Sequence, residues 1–251
     1  MISGFFKKLT EKIDLIKISA TGRMSGHVLT VEPLDTTKKA KKPILDLMGL
    51  LTGALVGSGI LVFNSILKGS TSQLLGVTGA KPIPHSSEGI ALIGYCLQAR
   101  AKTPEHDERF SLTENDENIP IDRLSKFMKV SDDIIPNVVK EYYFIEKLSE
   151  LGIDFRQRFN QMGVWILTDN IGFTRIRDNL FPEYMLFTHG PVEIIFWLRE
   201  ILIKSGENIK IFRFDDEFIK VFILNHELGF ISDELYVKLQ EKFGFNINEN
   251  I

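Results

Sequence analysis

The stretch LMGLLTGALVGSGILVF, residues 47–63, holds no charged side chain and places glycine at 49, 53 and 57. Its reading decides between a membrane segment, an assembly surface and the interior of a water-soluble core. The uncharged tract extends from Leu47 to Leu67, 21 residues. At ~1.5 Å per residue, a helix of that length matches the ~30 Å hydrocarbon thickness of a bilayer. Asp46 at its entrance, and Thr52, Ser58, Asn64 and Ser65 within it, lower its hydrophobicity. Residues four apart share a helix face, so Gly49, Gly53 and Gly57 form one smooth stripe. Each interior glycine costs a helix about 1 kcal/mol relative to alanine. Close approach of a second backbone, as at small-xxx-small interfaces in membranes, offsets that cost. A helix buried in a soluble core, or an apolar segment without helix, is the alternative.

The flanks of the tract are basic. Lys38, Lys39, Lys41 and Lys42 precede it, and Lys68 alone follows closely. If the tract spans a membrane, this asymmetry puts the N-terminal flank in the cytoplasm and residues 68–251 outside. A single free cysteine, Cys96, excludes an intrachain disulfide and favours a reducing compartment. The two statements conflict for a simple span. Three resolutions remain: a single-pass protein with an external domain, a re-entrant or surface-lying segment, or a segment released on a trigger. Further upstream, Phe5, Leu9, Ile13 and Ile16 form a helical stripe, broadened by Ile2 and Phe6, with Lys7, Lys8, Glu11, Lys12 and Asp14 filling the rest. Such a basic amphipathic helix, led by Phe5 and Phe6, either lies among lipid headgroups or covers a core. No apolar run followed by a small-residue site marks a cleaved signal. Residues 18–35, with apolar β-branched residues and glycines as in HVLTVEPL, read as a short strand or a hairpin.

Residues 1–42 carry nine basic side chains against four acidic, whereas the whole 251-residue chain has a net charge of -3. That total gives no reason to expect nucleic acid as a partner. Hydrophobic residues at 44% are enough for an ordinary globular core. The expected organisation is a basic amphipathic region over 1–42, a membrane or assembly helix over 43–68, a connector over 69–118 and an α+β domain over 119–251. The connector includes a short helix in GIALIGYCLQARAKT (89–103) and the acidic stretch PEHDERFSLTENDENIP (104–120).

Within 119–251, Leu124, Phe127 and Met128 suit a short helix. Ser131 is a good N-cap for a second helix carrying Val139, Tyr143, Leu148 and Leu151, and Pro136 either sits in its first turn or marks a later helix start. Gly152 stops that helix. GVWILTD, GFTRIR and YMLFT then read as short strands, with turn chemistry at Asp169, Asn170 and Gly172. Helix, turn, longer helix and β-hairpin in this order resembles a winged-helix module over 119–190. Asp132, Asp133, Glu141, Glu146 and Glu150 outnumber Lys140 and Lys147 on its recognition helix, which disfavours DNA and favours a protein partner. Arg156, Arg158, Arg175 and Arg177 leave a DNA-binding regulator as a further alternative. Leu148, Leu151, Gly152, Thr188 and Gly190 also resemble the pattern of the Abi-alpha group of bacterial abortive-infection proteins. The Thr–Gly spacing differs by one residue, and the cysteine after that turn is absent. The resemblance implies a defence role at or near the inner membrane and brings no catalytic residues. Downstream, Pro191 opens a helix through Lys204, stopped by Gly206, and NIKIFRF reads as a strand. Two helices follow as a hairpin, capped by Asp215 and Ser232 and stopped by Gly229 and Gly244.

No residue pattern carries chemistry. GxxxxGK[ST] is absent, and histidines 27, 85, 106, 189 and 226 never pair at i, i+4. His226-Glu227 lacks the second histidine of a zinc-protease motif. His106 among Glu105, Asp107 and Glu108 reads as a solvated acidic loop, and Cys96 as a small buried residue. The expectation is a non-enzymatic, self-assembling, membrane-associated bacterial protein of phage defence or membrane permeabilisation. It has no cofactor and no metal. Its partners are a lipid bilayer and further copies of itself, and its place is the inner membrane or its cytoplasmic surface. The alternative is a soluble interaction or structural subunit of the cytoplasm with the tract buried.

Overall fold

The computed structural model describes residues 16–34, 65–69, 73–83, 89–112, 119–150, 152, 154–180 and 189–244. The chain divides into two compact units, residues 1–125 and 126–251. The architecture mixes helix and antiparallel sheet, as the α+β expectation requires, but it distributes them differently.

Unit one is built on six antiparallel strands: β1 (Ile16–Ala20), β2 (Ser25–Pro33), β3 (Ser65–Gly69), β4 (Leu74–Pro82), β5 (Ile90–Cys96) and β6 (Phe110–Leu112). Their order is β1-β2-β5-β4-β3-β6. The two edges then meet. Ser19 bridges Arg109, the Ala20 amide donates to the Glu108 carbonyl at 2.8 Å, and the Asp107 amide donates to the Ala20 carbonyl at 2.9 Å. The sheet is therefore a small barrel, a form that leaves few unpaired edge groups. Strands β3, β4 and β5 follow one another, and β6 returns beside β3, which is a Greek key. Leu29 opposes Leu92 and Val31 opposes Ile90, so these four share the inner face, where each is at most 5% exposed.

Two bulges curve the sheet at one level. Register shifts at Val28 in β2 and Thr78 in β4 face the same stretch of β5, Leu92–Gly94. A Cβ on Gly94 would sit 2.3 Å from the Gly76 carbonyl oxygen and 3.2 Å from Val28 Cγ2. Glycine is what lets the backbones close there.

Several expectations change in this unit. Ile16, the last member of the N-terminal helical stripe, lies in β1. Ser65, Ile66 and Leu67, the end of the uncharged tract, open β3, so a helix over 43–68 cannot reach its expected end. The connector over 69–118 contains strands, and the expected helix over 89–103 is strand β5 with turns after it. β2 and β5 are antiparallel, as are β5 and β4, and β4 and β3. Hence the end of β2 and the start of β3 lie at the same end of the barrel.

Unit two is helical throughout its described residues. Its helices are α1 (Ile121–Glu141, beginning just before the unit boundary), α2 (Tyr143–Glu150), α3 (Phe155–Asp169), α4 (Phe173–Leu180), α5 (His189–Lys204), α6 (Arg213–Glu227) and α7 (Asp233–Phe243). GVWILTD and GFTRIR belong to α3 and α4, so the wing expected there is helix. YMLFT, Leu151 and Thr188 lie outside the described residues. Asp154 caps α3 by accepting from the Gln157 amide, and Asn170 closes it in the left-handed conformation. Nearly all of α3 from Phe159 to Leu167 is buried, and a Cβ on Gly163 would overlap the Phe127 ring. Ser131 lies inside α1, where its hydroxyl donates to Asn160 Oδ1 at 2.5 Å, and Pro136 is also internal. NIKIFRF forms a 3-10 turn (Ile209–Ile211) and the start of α6.

The C-terminal helical hairpin is present, with Ser232, Gly229 and Gly244 in their expected places, but Phe212 and not Asp215 is the N-cap of its first helix. Ser232 accepts from the Leu235 amide, and Gly152, Gly206, Gly229 and Gly244 all take positive φ at their helix ends. Phe214, Phe218 and Phe222 form a column along α6, continued by Tyr236 at 4.9 Å from Phe222. Phe196 of α5 packs edge-on against Phe218 at 4.8 Å and Phe222 at 5.1 Å, and stacks on Phe243 at 5.1 Å. This aromatic hub fixes α5, α6 and α7 together.

Replacing Gly94 with alanine is expected to destabilise the protein by about 1–3 kcal/mol, the ordinary cost of overpacking where a backbone oxygen cannot yield. A lowered urea midpoint with unchanged m-value checks this.

Candidate functional site

Every residue expected at the membrane or assembly site lies outside the described residues: Phe5, Phe6, Lys38, Lys39, Lys41, Lys42, Gly49, Gly53 and Gly57. The structure shows what frames them instead. Among the described residues, no helix is long and apolar enough to cross a membrane.

The most developed polar constellation lies in unit two and was not visible in the sequence. Tyr142 occupies the one-residue break between α1 and α2. Glu193 and Trp197 stand one turn apart on α5, and Lys242 is in the last turn of α7. The Tyr142 hydroxyl donates to Glu193 Oε2 and accepts from Trp197 Nε1 at 3.3 Å and Lys242 Nζ at 3.4 Å. One donor and two lone pairs are all that a phenol offers, so these contacts use its full capacity. Lys242 Nζ also reaches Glu141 Oε1 at 2.7 Å and Glu193 Oε2 at 3.4 Å. Its ammonium lies 5.4 Å from the Trp197 ring, 5.5 Å from the Phe243 ring and 5.9 Å from the Tyr142 ring.

Burial, reinforced by the hydrogen bond to Glu193, raises the Tyr142 phenol well above its usual 10.0, against a smaller lowering from Trp197. Burial alone would lower Lys242. The hydrogen bond to Glu141, with Tyr142 and Glu193 beside it, outweighs that and raises it above 10.5. Both groups therefore stay protonated at neutral pH and are poor general bases. The cluster suits holding a cation, not moving a proton.

A second charged pair is sequestered. Arg199 Nε donates to Asp215 Oδ1 at 2.8 Å, with side chains 9% and 1% exposed. Asp215 is thus not the cap of α6 that its position suggests. The N-cap is Phe212, and Asp215 Oδ2 is buried without a hydrogen-bond partner.

No family model, curated protein or solved structure matches this chain.

The remaining expected positions are dispersed. Among the described residues no group of three or more His, Cys, Asp or Glu is placed to hold a metal. His106 Nδ1 pairs with Asp107 Oδ2 at 3.0 Å on an exposed turn, where Asp107 has φ +67°. Cys96 is buried, accepts from Gln73 Nε2 at 3.3 Å and donates to the Gln98 carbonyl at 3.2 Å. His226 pairs with Asp233 at 2.7 Å and stacks on Tyr236.

Two expectations follow. Tyr142 and Lys242 both hold protons more firmly when folded than when unfolded. Their contribution is complete below about pH 10 and is lost as pH rises beyond it. Urea midpoints are expected to fall steeply above that pH, and Tyr142→Phe is expected to flatten part of the fall. Separately, Asp215→Leu is expected to cost about 3–5 kcal/mol by removing the buried carboxylate to which Arg199 Nε donates, and adding Arg199→Met to recover most of it, as a double-mutant cycle in urea would show.

Proposed function

We propose that this chain is a non-enzymatic, membrane-associated protein that self-associates through the glycine stripe of its uncharged tract, in the manner of defence proteins that act on a bacterial membrane. The observation that carries the mode of association is the sheet topology. β2 precedes the tract and β3 begins at its end, yet both belong to one hydrogen-bonded barrel and meet the tract at the same end. A single crossing would set strands of one sheet on opposite sides of a bilayer. The reading therefore becomes a re-entrant or surface-lying segment, with both flanks on one side. As a helical hairpin, each leg of Leu47–Asn64 reaches roughly 13 Å, less than half of a ~30 Å hydrocarbon core. Insertion into one leaflet fits that reach. The lysines at 38, 39, 41 and 42 then sit where anionic headgroups attract them, at about 1 kcal/mol each. Helical unit two serves in this reading as the partner-facing module.

Leucine at Gly49, Gly53 and Gly57 together is expected to reduce both oligomer mass and carbonate-resistant pelleting with membranes. An unchanged mass and partition would reject assembly through the stripe. In a Cys96→Ala background, single cysteines at Arg23 and Lys102 are expected to react with an impermeant maleimide from the same face of the membrane. Labelling from opposite faces would reject the re-entrant reading.

A further inference from the structure

Lys242 sits in surroundings more elaborate than an ion pair requires. Three aromatic rings lie within 6 Å of its ammonium, and two carboxylates accept from it. Each type of contact stabilises a positive charge by itself: ring faces through their quadrupoles, carboxylates through direct attraction. Most of this surround does not belong to the helix that bears the lysine. Tyr142, Trp197, Glu141 and Glu193 come from the α1–α2 junction and α5, and only Phe243 comes from α7. Withdrawing the ammonium would take from Glu193, whose side chain is 11% exposed, the cation that lies 3.4 Å from its Oε2. The recess is also reachable, since the Lys242 side chain is 28% exposed and that of Glu141 46%.

We propose that the Tyr142–Trp197–Glu193 recess is a recognition site for a small organic ammonium, held in this state by Lys242 as an internal ligand. The ligand class follows from the donors and acceptors. Both carboxylates and the one Tyr142 lone pair that faces Lys242 accept, while the Trp197 N–H and Tyr142 O–H are already engaged inside the recess. An anion would find only acceptors and ring faces. A methylated ammonium uses the ring faces best, because it sheds its water more readily than a primary one. Lys242 acts as a built-in competitor, so an external cation gains the site only where that ammonium is absent or displaced. The inference is independent of any membrane association.

The test uses the full chain and Lys242→Ala, with choline chloride as probe, sodium chloride at matched ionic strength, and 3,3-dimethyl-1-butanol as the uncharged isostere. The indole N–H resonance of Trp197, assigned by Trp197→Phe, is the readout, and Trp165 is the internal control. In Lys242→Ala, choline is expected to shift Trp197 saturably at a concentration roughly tenfold below any effect in the unsubstituted protein. The alcohol and the salt should not move it, and Trp165 should stay still. An equal response to the uncharged isostere, or none to choline, overturns the proposal. Should Lys242→Ala not fold, carbon-13 reductive methylation of the unsubstituted protein decides. Dimethylation keeps the charge, so the Lys242 methyl signal is expected upfield of the exposed lysines through the ring current of Trp197. Coincidence with those lysines overturns the cage.

Discussion

The pairing of β2 with β5 is the constraint on which unit one depends. Val31 meets Ile90 and Leu29 meets Leu92 across about sixty residues of chain. Without that ladder, β1–β2 is an isolated hairpin, which is marginal in water. With it, the β1 edge reaches Arg109 and the sheet closes. The cost is entropic, since a long loop must close before any of these contacts forms, though that cost grows only slowly with length. The reward is a core in which β5 is buried along both faces, Ile90 and Cys96 completely. The same ladder makes the stretch between β2 and β3, which holds the glycine-rich tract, an insertion within one unit.

How much of this the sequence discloses depends on whether a local rule decides the structure. The hairpin α6–α7 was legible because its signals are local: Ser232 before DEL, Gly229 and Gly244 after apolar turns, and Phe214, Phe218 and Phe222 four apart. β2 was legible for the same reason, as HVLTV favours an extended chain. IALIGYC was not, because a strand buried on both faces shows no alternation, and seven apolar residues fit a helix equally well. GVWILTD failed in the opposite sense. Its β-branched residues suggest a strand, but α3 is enclosed nearly all round, and tertiary burial overrides propensity. The real start of α3 is signalled by Asp154, which caps FRQRF, and its end by Asn170, whose left-handed turn is the same chemistry a hairpin uses. The Lys242 cluster could not be read at all. Its members are separated by about fifty and a hundred positions, and no short spacing links them. Its local traces are pairs only: Glu141 beside Tyr142, Glu193 one turn before Trp197, and Lys242 beside Phe243.

Unit two holds two cations in contrasting ways. Arg199 is sequestered against a carboxylate that keeps one oxygen unpartnered, an arrangement that trades desolvation for orientation and adds little net stability. It ties α6 to α5 at one point of register, beside the aromatic contacts of Phe196 with Phe218 and Phe222. Lys242 is partly wet, so its desolvation is incomplete, and ring faces supply part of what water would have given. Loss of one contact around Lys242 leaves others, whereas loss of Asp215 removes the one carboxylate to which Arg199 Nε donates. The buried pair therefore behaves as a structural pin. The Lys242 cluster shares Phe243 with the aromatic hub, so the two are joined at α7.

On the proposed reading the charge asymmetry of the chain acquires a physical sense. The basic excess of residues 1–42 falls on both sides of β1 and β2, and four of its lysines follow β2 within nine residues. Nine extended residues span at most about 30 Å, so those lysines cannot stray far from the barrel end where the tract departs. An apolar insertion of one-leaflet depth gains less from lipid than a full span does, and its threonine, serine and asparagine side chains reduce that gain further. Lysines confined beside it add an attraction that salt weakens and that depends on anionic lipid. The glycines limit the same gain, because they contribute almost no apolar area. A tract designed only to insert would carry leucine at 49, 53 and 57. On the proposed reading, glycine there serves contact between backbones, and insertion and association form one coupled step, each too weak alone.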